Sequence, residues 1–116
     1  MIKRSNEMTT TVKANMRGGD GSALITDVLS RDEYQGNARL VAVITLEPGC
    51  SIGEHIHENE EEIFYIIEGR ATYDDNGTQT VLEAGDSCIC HAGQKHSLAN
   101  RENSGVLRVF AVIMTL

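Results

Sequence analysis

No apolar run in this chain approaches the length of a membrane-spanning helix. The longest, Leu40–Leu46 and Val109–Met114, fall far short of about 20 residues. The N-terminal stretch "MIKRSNEMTTTVKANM" lacks the apolar core of a secretory signal. No cluster of Lys and Arg offers the basic face that phosphates demand, and the net charge is −7, so nucleic acid is not an expected partner. Nothing basic and amphipathic points to a membrane surface. Three cysteines cannot all pair within one chain, which agrees with a reducing compartment, and the expected location is the cytoplasm. Proline occurs once, and there is no long helical pattern, no linker and no internal repeat.

What remains reads as one globular domain. The 116 residues are 41% hydrophobic and 23% charged, enough for a single core without disulfide staples. Eleven glycines separate short runs rich in Val, Ile, Thr and Tyr, which predicts an all-β fold. The first 22 residues are polar, end in "RGGDG", and read as a loop or irregular arm; no Lys-Ser/Thr follows, so this is not a phosphate loop. Ala23–Leu29 is a candidate strand. Ser30 with Glu33 forms a capping-box pattern closed by Gly36, predicting one or two helical turns. From Asn37 onward strands follow one another: Ala38–Gly49, Gly53–His57, Glu61–Gly69 continued by Arg70–Asp75, Thr78–Asp86, Ser87–His96, and a last one after the "RENSG" turn. Asp75–Gly77 is a hairpin signal. The division expected is an N-terminal arm with its helical turn over residues 1–36, packed on a barrel over 37–116. Strands with turn signals at this spacing predict a sandwich or barrel.

The stretch "GCSIGEHIHENEEEIFYIIEG", Gly49–Gly69, carries the chemistry. Side chains alternate faces along a strand, so His55 and His57 share one face and Ile56 takes the other. Two imidazoles so placed can reach one metal ion. An antiparallel return through the glutamate-rich turn is expected to bring Glu62 beside them, with Glu61 as its rival. A carboxylate with neutral imidazoles suits a divalent first-row metal. His96 ends another expected strand and is the candidate fourth ligand; His91 is the only other histidine. The alternative for a lone His-x-His is a solvated pair.

The spacing of the whole segment resembles the cupin superfamily. Gly49, five residues, His55-x-His57, four residues, Glu62, six residues and Gly69 fit its first motif. Gly85, five residues, His91-Ala92-Gly93, two residues, His96, three residues and Asn100 fit its second, except that His91 stands where the family has proline. "NMRGGDG", "ARLVAVITLEPG" and "GDSCICHAGQKHS" extend the likeness to small single-domain bacterial cupins, some described as oxalate-decarboxylase-like. The resemblance implies a double-stranded β-helix, a small jelly-roll-like barrel. It implies one divalent metal held by His55, His57, Glu62 and His96: Mn, Fe or Ni, with Zn as the rival. It further implies a small carboxylate or other oxygen-rich metabolite as ligand at that metal, turned over by decarboxylation, isomerisation or oxygenation. The alternatives are a metal-dependent binding protein without turnover and a purely structural metal. Single-domain cupins resemble dimers, so a homodimer through the N-terminal arm or an outer sheet face is expected, with Ile56 contributing.

Other residues receive plainer readings. Glu58, Glu60 and Glu61 read as a solvated turn. His91 reads as an exposed turn histidine, and Ala92-Gly93 can still make the turn without proline. Cys88 and Cys90 share a face and read as buried small hydrophobes; they lack C-x-x-C spacing. Cys50 falls near the barrel rim. Phe64 and Ile66 share parity with Glu62 and should line the interior. Arg17, Arg39 and Arg108 are the candidate cations for a second carboxylate, each expected on the surface. No general acid is identified, and the catalytic residues are unknown.

Overall fold

A computed structural model describes residues 1–116. Ten strands run in chain order: β1 (Thr9–Ala14), β2 (Ser22–Leu29), β3 (Ala38–Leu46), β4 (Ser51–Ile56), β5 (Glu60–Glu68), β6 (Arg70–Asp75), β7 (Thr78–Glu83), β8 (Ser87–Cys90), β9 (Lys95–Ala99) and β10 (Leu107–Thr115). They form two sheets, β1-β2-β3-β10-β5-β8 and β4-β9-β6-β7, and every ladder is antiparallel. The fold is all-β. No helix is long and apolar enough to cross a membrane.

The core lies between the two sheets and follows from alternation. On β3, Ala42, Ile44 and Leu46 point inward; across the ladder they meet Ala111, Val109 and Leu107 of β10. Phe64 and Ile66 of β5 lie on the same inner face, as their parity with Glu62 requires. The four-stranded sheet answers with Ile52, Ala71, Tyr73 and Leu98. Each inward Val, Leu, Ile or Phe side chain contributes about 1.5–3 kcal/mol by leaving water.

Three expectations change and one holds. The N-terminal arm contains β1, a regular strand whose residues are all exposed; its polar sequence hides it because it packs on nothing but its hydrogen-bonded partner β2. The expected helical turn is present as one 3-10 turn, Arg31–Glu33, where the Ser30 N–H donates to Glu33 Oε1 at 2.7 Å. The stretch Ser87–His96 breaks into β8 and β9 around a turn closed by the Gln94 N–H donating to the His91 carbonyl at 3.0 Å. Most important, β4 and β5 do not pair. The chain crosses between sheets at Glu58–Asn59, with Asn59 at φ 58, a left-handed conformation that Asn tolerates.

The arm is fastened to β4 by two glycines. A Cβ on Gly53 would collide with the Arg17 carbonyl, and one on Gly19 with the Ser51 carbonyl. The turn Met16–Gly18 therefore lies directly against the backbone of β4.

Candidate metal centre

His55 on β4 stands directly opposite His96 on β9, so one ladder position supplies two imidazoles. His57 follows the end of β4 and still faces inward, 2% exposed, while Ile56 between them is 54% exposed. Glu62 comes from β5 in the opposite sheet and reaches the histidines across the barrel interior, not along a hairpin. Glu62 Oε1 is 3.0 Å from His57 Nε2 and 3.1 Å from His96 Nε2. His96 Nε2 lies 3.1 Å from both His57 Nε2 and His55 Nε2. One donor atom from each of the four residues lies within 4.8 Å of all the others.

The outer nitrogens decide what this cluster can hold. His55 Nδ1 donates to the Gly53 carbonyl at 2.8 Å, a group that can only accept. His57 Nδ1 donates to Glu60 Oε1 at 2.8 Å. Glu60 is itself gripped by the Arg39 guanidinium, with Nη2 donating to Oε1 at 2.7 Å, and that hydrogen bond with the one from His57 lowers its pKa to about 2. His96 Nδ1 meets the Tyr73 hydroxyl at 2.8 Å, and Phe64 stacks on its ring at 5.2 Å. With Nδ1 protonated, the Nε2 atoms of His55 and His57 present lone pairs toward each other and toward a carboxylate. Acceptors crowded to about 3 Å in a buried site are satisfied either by shared protons or by a cation at their centre. The cluster is able to bind a metal ion, and the donor spacing fits neighbouring vertices around an ion at roughly 2.1 Å.

The charge shifts divide between the neutral rings that a metal needs and a protonated ring in its absence. Burial pushes the Glu62 carboxyl up, but hydrogen bonds from His57 and His96 outweigh it, and its pKa is lowered. Burial lowers His55, which favours the neutral ring that a metal needs. Hydrogen bonding to Glu62, ahead of that to Glu60, raises His57. Without a metal, a proton is what His57 and Glu62 share.

The cluster forms the floor of a cavity of about 310 Å³. Its wall includes Leu40, Ile44, Ile52 and Phe64, and three cations: Lys13, Arg17 and Arg39. One sequence expectation needs correction here. Glu60 is not a solvated turn residue; it opens β5, shares parity with Glu62, and orients His57. Arg17 and Arg39 are exposed, as expected, and also border the cavity, whereas Arg108 pairs outward with Glu68 at 2.9 Å. Parity alone would have found Glu60; Arg17 lies on an irregular turn that carries no such signal. Glu61 points away from the cluster toward His91, whose ring is exposed and 3.4 Å from it. All three cysteines are free. Cys90 is buried, and burial raises the thiols of Cys88 and Cys90 to about 11.

Similarity to known proteins agrees with this geometry. A Thermotoga maritima protein named oxalate-binding protein is 41% identical over 116 residues, 100% of this chain and 95% of that protein. A Thermotoga maritima crystal structure, described as a predicted oxalate decarboxylase, superposes with a TM-score of 0.93 at 41% identity, covering 100% of both chains. A Klebsiella pneumoniae protein with a double-stranded β-helix domain gives 0.72 at 26% identity, covering 98% of this chain and 89% of its own. Residues 42–113, spanning both spaced motifs and every member of the cluster, match the family described as Cupin domain, and this chain is a cupin.

Proposed function

We propose that this cupin binds a small oxygen-rich acid at a divalent first-row metal held by His55, His57, Glu62 and His96. The observation that carries this is the convergence of three imidazoles and one carboxylate on the floor of a cavity with a cationic rim. Mn, Fe or Ni would accept this donor set and leave positions for oxygen ligands; Zn accepts it at lower coordination. When bound, the ion supplies Lewis acidity and a template for a chelating acid. The rest falls to the chain: Gly53 and Glu60 fix the ring orientations, and Lys13, Arg17 and Arg39 attract the anion. Oxalate is the first ligand to test, given the name of the Thermotoga relative. Titrated into manganese-loaded protein, oxalate should saturate one site per chain and show no binding to stripped protein. Equal binding to both overturns the proposal.

Turnover is the second reading, favoured by the opening of the cluster onto the cavity. Decarboxylation of oxalate releases carbon dioxide and leaves a carbon that must take up a proton. Every carboxylate and imidazole on the cavity wall belongs to the cluster, so no separate acid of those types stands ready. Binding is accordingly the primary function. Carbon dioxide release above the free-metal background would establish turnover.

A homodimer belongs to the same proposal. The outward face of the six-stranded sheet carries Phe110 between Val43 and Tyr65, and Val112 between Val41 and Ile63. Tyr65 and Ile67 are 47% and 45% exposed. A contiguous apolar face of this kind favours a second copy. Ile56 lies on the other sheet and plays no part in it.

A further inference from the structure

The cavity is large for oxalate. At about 310 Å³ it sits at the lower edge of the range, roughly 300–1,000 Å³, that takes drug-sized ligands. Two carboxylates joined directly would fill only its floor. Above the cluster the wall is apolar: Leu40, Ile44, Ile52, Phe64 and Ile113. Water against such a wall is displaced favourably by hydrocarbon.

The mouth has a separate chemistry. The chain carries only 10 Lys and Arg and a net charge of −7, yet Lys13, Arg17 and Arg39 all border this cavity, and the only carboxylate lining it is Glu62. Arg39 is engaged by Glu60, but Lys13 and Arg17 have no acidic partner in the structure. Arg17 is also held in place. Its backbone is left-handed, φ 55 and ψ 29, and its carbonyl lies where only a glycine at 53 leaves room. The left-handed, closely packed backbone fixes where the Arg17 side chain leaves the turn, at the edge of the cavity.

Resting on the metal-centred reading above, we infer that the ligand is an amphipathic acid. Its chelating α-keto or α-hydroxy carboxylate head occupies the metal site. An apolar body of several carbons lies along the barrel wall. A second acidic group meets Lys13 and Arg17 at the mouth. Oxalate would then be the minimal head of the true ligand.

The test is calorimetry on metal-loaded protein, with metal content measured on the same sample. The probes are straight-chain α-keto acids of increasing length from pyruvate upward, the matching α-keto diacids, and oxalate. Affinity should rise about fourfold per added methylene until the barrel is filled. At least one diacid should bind about tenfold tighter than the monoacid of its length. Arg17→Gln should bring that ratio to about one. Affinity that stays flat or falls with length, in protein that holds metal and binds oxalate, overturns this inference alone. A rise with length but no diacid preference overturns the placing of the second acid group. Failure to take up metal overturns both this and the function proposed above.

Discussion

Glu60 connects the histidine and glutamate cluster to Arg39 at the cavity mouth. Arg39 holds its carboxylate, and the carboxylate holds His57 in the tautomer that presents Nε2 inward. Outer partners of this kind are worth about 10–100-fold in metal affinity. Glu60→Gln should therefore weaken binding by that factor in a chelator-competition assay, whereas Glu62→Gln, which alters a ligand, should lose more. Equal effects, or none for Glu60, would remove Glu60 from the site. The cysteines make a second prediction. Cys88 and Cys90 have thiols raised to about 11, so both remain protonated at neutral pH. Native protein should resist alkylation there at pH 8 and label at all three cysteines only when unfolded, as read by mass spectrometry. An acid whose folded pKa is raised costs stability once the unfolded thiol ionises. Melting temperature should therefore fall as pH climbs from about 8.5 towards the folded value.

Among the elements, β4 and the arm turn are the most tightly constrained. Gly53→Ala would press a methyl group into the Arg17 carbonyl and should destabilise the fold by about 1–3 kcal/mol, the usual cost of overpacking. Gly36→Ala is the control, because nothing lies within 4 Å of that position. Thermal unfolding of the two variants separates them; equal melting temperatures would mean that the arm is not clamped. β3, β5, β6 and β10 were legible because inward and outward residues alternate along them. β1 was not, since its six residues are all exposed and period-2 burial leaves no trace in it. The sheet partner of β5 was also hidden. Sequence proximity favours a hairpin with β4, but the crossing at Asn59 sends β5 to the other sheet, and only the three-dimensional closure of the barrel decides that. The convergence of His55, His57, Glu62 and His96 was nonetheless legible, because the spacing of two motifs encodes the barrel without revealing its ladders.

Taken whole, the molecule is two sheets tied together at one end by four polar side chains from both sides of the barrel. His55 and His96 belong to the four-stranded sheet, His57 follows its edge, and Glu62 belongs to the six-stranded one. An ion held there would bridge the sheets, so metal should stabilise the native state by RT ln(1 + [M]/Kd), about 2.7 kcal/mol at a hundredfold excess over Kd. Chelation should lower the melting temperature accordingly, and re-addition should restore it. The outer apolar face predicts association at the same scale: Phe110→Glu should convert a dimer to a monomer in sedimentation without loss of metal, and a wild-type monomer at micromolar concentration would rule that interface out. The central claim is the cation within the quartet, and elemental analysis of purified protein tests it most directly. One divalent first-row ion per chain in the wild type, lost when His55, His57, Glu62 and His96 are together replaced by alanine in a chain that still folds, is the predicted result. An unchanged ion content in that variant, or a wild type that binds none when supplied with each candidate metal, would contradict it.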